Sequence, residues 1–340
     1  MVNQRPFLDE KVVIHTSCPY NKRQGLETGG CIMKKNKLGK SDIMISELTL
    51  GCMSLGTNQK EASRMIDYAI DSGINHLDTA DLYDFGLNEE IIGKVIKDKR
   101  DQIILTTKVG NHFNRETKDW FWDPSKEYIL QAVKQSLQRL NTDYIDFYML
   151  HGGTLEDPIA ETIEAFEELK KEGLIRAYGI SSIRPNVIQE FAEHSSVDGV
   201  MTQYSLLDRR PEEDVLGLLQ KNNVSVLARG PLAKGMLSNH AERLIDGKGK
   251  EGYLDYSYEE LNSIYQKLSA LLQDNQSMNE LALKYVQKHP SVASAVFGAS
   301  SVEQIQENVN FDFSKALTDE TYEVLQQITK AIKYDNHRII

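Results

Sequence analysis

Short runs of β-type residues alternate along the chain with longer stretches whose apolar positions recur at helical spacing. "LTLGCMSLG" is followed by a helical period over 61–72, "INHLDTAD" by 88–98, "QIILTTKVG" by 126–140 and "YIDFYMLHG" by 158–171. The alternation continues with "IRAYGISS" and 185–193, then "DGVMTQYS" and 211–221. "VSVLARG" has its helix delayed to about 277–288, and "VASAVFGAS" is followed by 301–308. Eight such units predict a closed (β/α)8 TIM barrel, because a right-handed crossover repeated around the sheet curls it shut and removes its edges. An open doubly wound sheet would carry a G-x-G-x-x-G turn after its first strand, and "GCMSLGTN" lacks that spacing.

Three segments lie outside the eight units. "KLGKSDIMIS" reads as two short strands about a Gly-Lys-Ser-Asp turn, an N-terminal hairpin ahead of the barrel. "TDETYEVLQQITKAIKY", 318–334, reads as an extra C-terminal helix packed outside it. The interval 231–276, rich in Gly, Lys and Tyr, is an insertion after strand seven, and loops of that size are usually functional or mobile. Residues 1–32 are unperiodic, mixed in charge and without the apolar centre of a secretory signal. They are expected to be a leader, disordered or an artefact of start-site choice, with Met33 opening a single domain over 33–340.

Composition narrows the function. Of 340 residues, 40% are hydrophobic and 26% charged, which excludes disorder as the main state. A net charge of −11 with no basic run argues against nucleic acid or an anionic membrane as partner. No apolar stretch approaches the ~20 residues of a membrane helix. Cys18, Cys31 and Cys52 are odd in number and lack metal-ligand spacing, and no two histidines form an H-x-x-x-H pair. A cytoplasmic protein with neither disulfides nor a metal site is the expectation.

In a (β/α)8 barrel the chemistry sits at the carboxyl ends of the strands. That rule selects Asp78 and Tyr83 after strand two, Lys108 at the end of strand three and His151 at the end of strand four. Singly, each has a bland reading: turn former, aromatic cover, solvated charge, start of a turn. On three successive strands they share one mouth. An ammonium beside a phenol lowers its pKa from the free value of ~10, so Lys108 would activate Tyr83 as a proton donor. Asp78 would hold Lys108, and His151 would donate a hydrogen bond to a substrate oxygen. The set describes carbonyl reduction, with hydride supplied from elsewhere. A Schiff base on Lys108, as in an aldolase-like barrel, is a competing use of the same lysine.

The stretch "LDTADLYDFGLNEEIIG" resembles the Asp-Thr-Ala-x-x-Tyr signature of the aldo-keto reductases. The likeness runs on through "TTKVG", "DFYMLHG", "YGISS", "TQYSLLDR", "RGPLAKGML" and "SVEQIQENV", covering Lys37 to about Asn310. The resemblance implies a catalytic tetrad of Asp78, Tyr83, Lys108 and His151 and a nicotinamide cofactor, usually NADPH. Within that family pattern Ser181, Ser182 and Gln203 would hold the carboxamide, although Ser182 stands where Asn is common. Arg229 replaces the aromatic residue that stacks on the nicotinamide; its planar guanidinium can also stack, but brings positive charge beside NADP⁺. Gly230, Pro231, Leu232, Lys234 and Gly235 would pass along the diphosphate. Ser300 or Ser301 would cap the helix at the adenosine end, with Gln304, Glu307 and Asn308 at the adenine.

The Lys or Arg common near residue 300 in the family is Ser here, so NADPH is the choice by family and NADH the alternative. The implied partner is a small aldehyde or ketone; oligomeric state is not legible. The loop "GNHFNRETKDWFWDP" offers His112, Phe113, Trp120, Phe121 and Trp122 as walls for apolar or aromatic aldehydes, although loop packing accounts for any one of them. Nothing in the sequence positions an anion receptor. Asp81 and Asp84 rank below Asp78, Asp84 as a loop residue where the family often has Gly. A regulatory nucleotide-sensing subunit, as in the potassium-channel β subunits, would share the fold and site with little or no turnover.

Overall fold

The computed structural model describes residues 33–339, so the reading of 1–32 as a leader lies outside the described residues. The predicted first hairpin pairs β1 (Lys35–Lys37) antiparallel with β2 (Met44–Ser46). Gly39 opens its turn at φ +55°, where a Cβ would fall 2.0 Å from the Asp198 carbonyl oxygen, so only glycine fits. The barrel begins with β3 (Leu48–Gly51), α1 (Gln59–Asp71), β4 (His76–Asp78), α2 (Leu87–Ile96) and β5 (Ile104–Val109). A second hairpin, β6 (Asn111–Phe113) and β7 (Trp120–Trp122), precedes α3 (Lys126–Leu140). Then come β8 (Ile145–Leu150), α4 (Ile159–Lys171), β9 (Ile175–Ser181), α5 (Pro185–His194), β10 (Gly199–Gln203), α6 (Val215–Lys221) and β11 (Ser225–Arg229). After α7 (Ala241–Gly247), α8 (Tyr258–Leu271) and α9 (Met278–Gln287), β12 (Val292–Gly298) pairs back with β3 and closes the barrel. The described chain ends with α10 (Val302–Val309), α11 (Asp319–Ile328) and an irregular tail.

Alternate strand residues go to two different cores, as a pleated strand in a closed barrel requires. Phe147 and Met149 of β8, with Ala177, Met201 and Leu227, fill the interior and meet Leu38, Ile43 and Ile45 of the first hairpin. Tyr148 and Leu150 of the same strand join the outer core beneath the helices. The hairpin plugs the amino end: Asn36 donates to the Ala293 carbonyl and the Gly39 N–H to Ser225 Oγ, both at 2.8 Å. The opposite end of the barrel is left to the βα loops.

Three expectations need correction. The interval 231–276 is largely helical, because "YEELNSIYQKLSAL" buries Leu261, Ile264 and Leu268 on one face behind a Ser257–Glu260 capping box. The C-terminal helix stops at Ile328, six residues short of the expected end. Arg209 takes the Gln326 and Thr329 carbonyls, and the Lys330 N–H donates to the Tyr256 hydroxyl at 2.8 Å, which draws the chain out of the helix. The tail then turns over the barrel mouth, where the Asn186 N–H donates to the His337 carbonyl. Finally, the second hairpin occupies a stretch that shows only loop character in sequence.

Candidate active site

The strand register sets the centre of the site. Asp78 ends β4 level with Thr106 on β5, and Lys108 lies two residues further along β5, opposite Met149 on β8. His151 follows β8 and is fixed by its N–H to the Val109 carbonyl at 2.7 Å. Tyr83 is carried by a single turn in which Asp84 and Phe85 adopt left-handed backbone, φ +49° and +51°. Non-glycine residues seldom sit there, so the turn is held by its surroundings. Phe85 packs edge-on against Phe113 at 6.0 Å, and the Tyr83 ring meets His151 edge-on at 5.9 Å.

Lys108 is the hub. Its ammonium, 1% exposed, lies 2.8 and 2.9 Å from the two Asp78 carboxylate oxygens, 2.7 Å from the Thr79 carbonyl and 3.4 Å from the Tyr83 hydroxyl. Three N–H donors thus meet Asp78, Thr79 and Tyr83. Burial works against its charge, but Asp78 and Tyr83 outweigh burial and hold Lys108 above the ordinary lysine value. Burial likewise raises the Asp78 carboxyl, with the Lys108 ammonium opposing it. The expectation that Lys108 leaves Tyr83 with a lowered pKa is corrected. Burial is the larger effect and raises the phenol, with Lys108 offsetting only part of it. His151 is pushed down to about 3 by burial, then by the charges of Lys108 and Arg229, so its imidazole is neutral. Its Nδ1 has no hydrogen-bond partner among the described residues.

Two cavities flank the end of β11, with Arg229 lining one and Gly230 the other. The first, about 650 Å³, is lined by Tyr83, Lys108, His151, Ser181, Ser182 and Arg229. The second, about 430 Å³, is lined by Gly230, Pro231, Leu232, Lys234 and Gly235 together with Ser300, Gln304, Glu307 and Asn308. Of the predicted cofactor residues, Gln203 and Ser301 line neither. Gln203 donates to the Tyr253 hydroxyl at 3.2 Å, and Ser301 is the residue that caps α10 by accepting from the Gln304 N–H. Asn308, 2% exposed, donates to the Gln304 carbonyl and accepts from Asn279, so it braces the wall. Glu307 is turned toward His240 Nε2 at 3.2 Å.

The aromatic loop does not wall the first cavity. Trp122 packs on Gly110 and Gly152 and donates Nε1–H to Asp157, while Trp120 and Phe121 are 55% and 58% exposed. His112 stacks on Tyr128 at 4.3 Å. Asp84 is exposed, as a loop residue should be, but Asp81 is fully buried. Burial, with Glu89 beside it, holds the Asp81 carboxyl well above the usual range.

Several lining residues went unread in the sequence. Arg184 stands just beyond the exit of β9, within the barrel rule; Arg210, Tyr334, Asn336 and His337 reach the first cavity only through tertiary contacts. Arg243 and Lys248 come to the second cavity from the insertion. Among the described residues, no group of three or more His, Cys, Asp or Glu is placed to hold a metal ion, and no helix is long and apolar enough to cross a membrane.

A closed (β/α)8 barrel with an acid, a phenol, an ammonium and an imidazole gathered at its carboxyl end has the form of a barrel oxidoreductase. The profile of the Aldo/keto reductase family matches residues 47–330, and the chain belongs to that family of oxidoreductases. It is 53% identical over 307 residues to the uncharacterized oxidoreductase YqkF of Bacillus subtilis, covering 90% of this chain and 100% of that one. It is 32% identical to the NADH-specific methylglyoxal reductase of Escherichia coli, over 82% of this chain and 93% of that one. The solved holo form of aldo-keto reductase AKR11C1 from Bacillus halodurans superposes with a TM-score of 0.85 at 52% identity, over 90% of this chain and 100% of that one.

Proposed function

We propose that the protein reduces aldehydes or ketones to alcohols with a reduced nicotinamide cofactor, and that Tyr83 is the general acid. One observation carries the reading: the Lys108 ammonium is shared between Asp78, the Thr79 carbonyl and the Tyr83 hydroxyl beside a neutral His151. Burial alone would make Tyr83 a poorer acid. Lys108 supplies the opposing charge as the phenol gives up its proton to the substrate oxygen. Asp78 keeps Lys108 in place and charged. A neutral His151 offers a ring N–H to the same oxygen, a donor that does not change with pH near neutrality.

The residues fit a nicotinamide dinucleotide. The exit of β11 runs from the tetrad cavity at Arg229 into the second cavity at Gly230, so one extended ligand can occupy both. Gly230, at φ +68°, lets the backbone pass close beneath it. Ser181 and Ser182 would hold the carboxamide end, while Lys234 and the amino end of α10 would meet phosphate. The bound cofactor supplies hydride to the carbonyl carbon. Lys234, Arg243 and Lys248 face Glu307 as the one carboxylate of the second cavity, and Glu307 is engaged by His240. That excess of positive charge supports NADPH over NADH, in place of the basic residue absent near position 300. The E. coli relative named as NADH-specific makes NADH the comparison. Loss of reduced-nicotinamide absorbance with NADPH and with NADH, against a panel of aldehydes and ketones, tests the reading. Tight cofactor binding with no turnover of any carbonyl would instead fit a regulatory subunit.

A further inference from the structure

The chain carries a net charge of −11, yet the tetrad cavity is lined by Lys108, Arg184, Arg210 and Arg229 against a single carboxylate, Asp335. Two of those cations are already matched. Lys108 pairs with Asp78, and Arg210 forms a two-pronged pair with Asp208, both prongs at 2.7 Å. Arg184 gives one arm to the Gly153 carbonyl. The guanidinium of Arg229, half-buried at the end of β11, has no hydrogen-bond or ion-pair partner among the described residues, while its backbone carbonyl accepts from the Tyr204 N–H at 3.1 Å. Its charge still reaches the centre, where it acts on Asp78, Tyr83 and His151.

A half-buried guanidinium has lost water on one side and gains most from a planar anion that accepts two parallel N–H bonds. Folding has left acidic residues in excess across the molecule and none of them on Arg229. Arg229 lines the same cavity as Tyr83 and His151. One free guanidinium, helped by the remaining donors of Arg184, matches a single negative charge better than a phosphate dianion.

Resting on the carbonyl-reductase reading above, we propose that the preferred substrates are small aldehydes or ketones bearing a carboxylate, which seats on Arg229 with Arg184 as its second contact. Arg229 is then the specificity-determining residue of the first cavity. The carboxylate orients the carbonyl toward Tyr83, and substrates without it lack that anchor.

The test compares matched pairs, para-carboxybenzaldehyde with benzaldehyde and succinic semialdehyde with butanal, in wild type, Arg229→Leu and Arg229→Lys. The readout is the ratio of kcat/KM within each pair, so any change common to both members cancels. NADPH dissociation constants, measured by nicotinamide fluorescence, report a separate effect on the cofactor. Wild type should favour the carboxylate members by about tenfold or more, as a charge-assisted pair allows. Arg229→Leu should bring both ratios close to one, chiefly through KM, and Arg229→Lys should keep part of the preference. Turnover of neutral aldehydes with no carboxylate preference in wild type would overturn this inference and leave the reductase reading standing. An Arg229→Leu loss shared equally by both members would also overturn it, and no turnover of any carbonyl would sink both.

Discussion

Replacing Asp78 with Asn removes the carboxylate that holds Lys108 while keeping the shape of the side chain. Both groups are buried, at 5% and 1% side-chain exposure, and their closest contact is 2.8 Å. At that distance an effective dielectric of about 20 gives roughly 6 kcal/mol of attraction. Asn keeps an acceptor for the ammonium and recovers part of it. Removing one partner of a buried pair costs about 3–5 kcal/mol, and we place Asp78→Asn near ~3 kcal/mol. The sign of the pH dependence should change with it. In the wild type Lys108 is held above its unfolded value of ~10.4, so its contribution to stability is present below that pH and lost as pH rises through the folded value. In the variant, burial acts on Lys108 without its main opponent, and its folded pKa drops below the unfolded one. The Lys108 contribution to variant stability then increases with pH across that interval, because the unfolded state binds the extra proton. Urea unfolding of both proteins from neutral to alkaline pH measures this. A loss under ~1 kcal/mol, or two pH profiles of the same slope, would refute the pairing as the source of the lysine charge.

Other outcomes follow from single contacts. With the His151 imidazole neutral down to about 3, kcat/KM should show no limb from this residue between about pH 5 and 8; a limb abolished by His151→Gln would contradict it. Gly39→Ala places a Cβ against the Asp198 carbonyl at positive φ and should destabilise by about 2 kcal/mol or more in chemical unfolding. Wild-type stability in that variant would mean that the hairpin does not plug the barrel as described. Arg243→Ala combined with Lys248→Ala should weaken NADPH binding about tenfold or more while changing NADH binding little. Equal weakening of both by fluorescence titration would remove these residues as readers of the extra phosphate.

The barrel and the position of its centre were legible because both depend on local pattern. Strand and helix periods count out the eight units, and the strand-exit rule then picks Asp78, Lys108 and His151 from the chain's many polar residues. What escaped depends on burial and on long-range contact. The phenol of Tyr83 rises rather than falls because its desolvation exceeds the pull of Lys108, and no spacing in the sequence carries that balance. Tyr334 and His337 reach the mouth because Arg209 and Tyr256 end α11 early, an event settled by residues some 70 to 120 positions away. The aromatic loop left two readings, pocket wall and loop packing, that its composition alone does not separate. Its rings are apolar enough for a pocket wall, but β6 and β7 set His112 against Phe121 and Tyr128, Phe113 against Phe85 and Trp122 on Gly110 and Gly152, and leave Trp120 exposed.

The central claim is that Tyr83 protonates a carbonyl reduced at this site. Its most direct test is the steady-state oxidation of NADPH by an accepted aldehyde in wild type and Tyr83→Phe, with cofactor binding measured alongside. The expected result is a fall in kcat of about 100-fold or more with NADPH affinity kept, since Phe retains the ring and loses only the acidic hydroxyl. Turnover undiminished in Tyr83→Phe would contradict it.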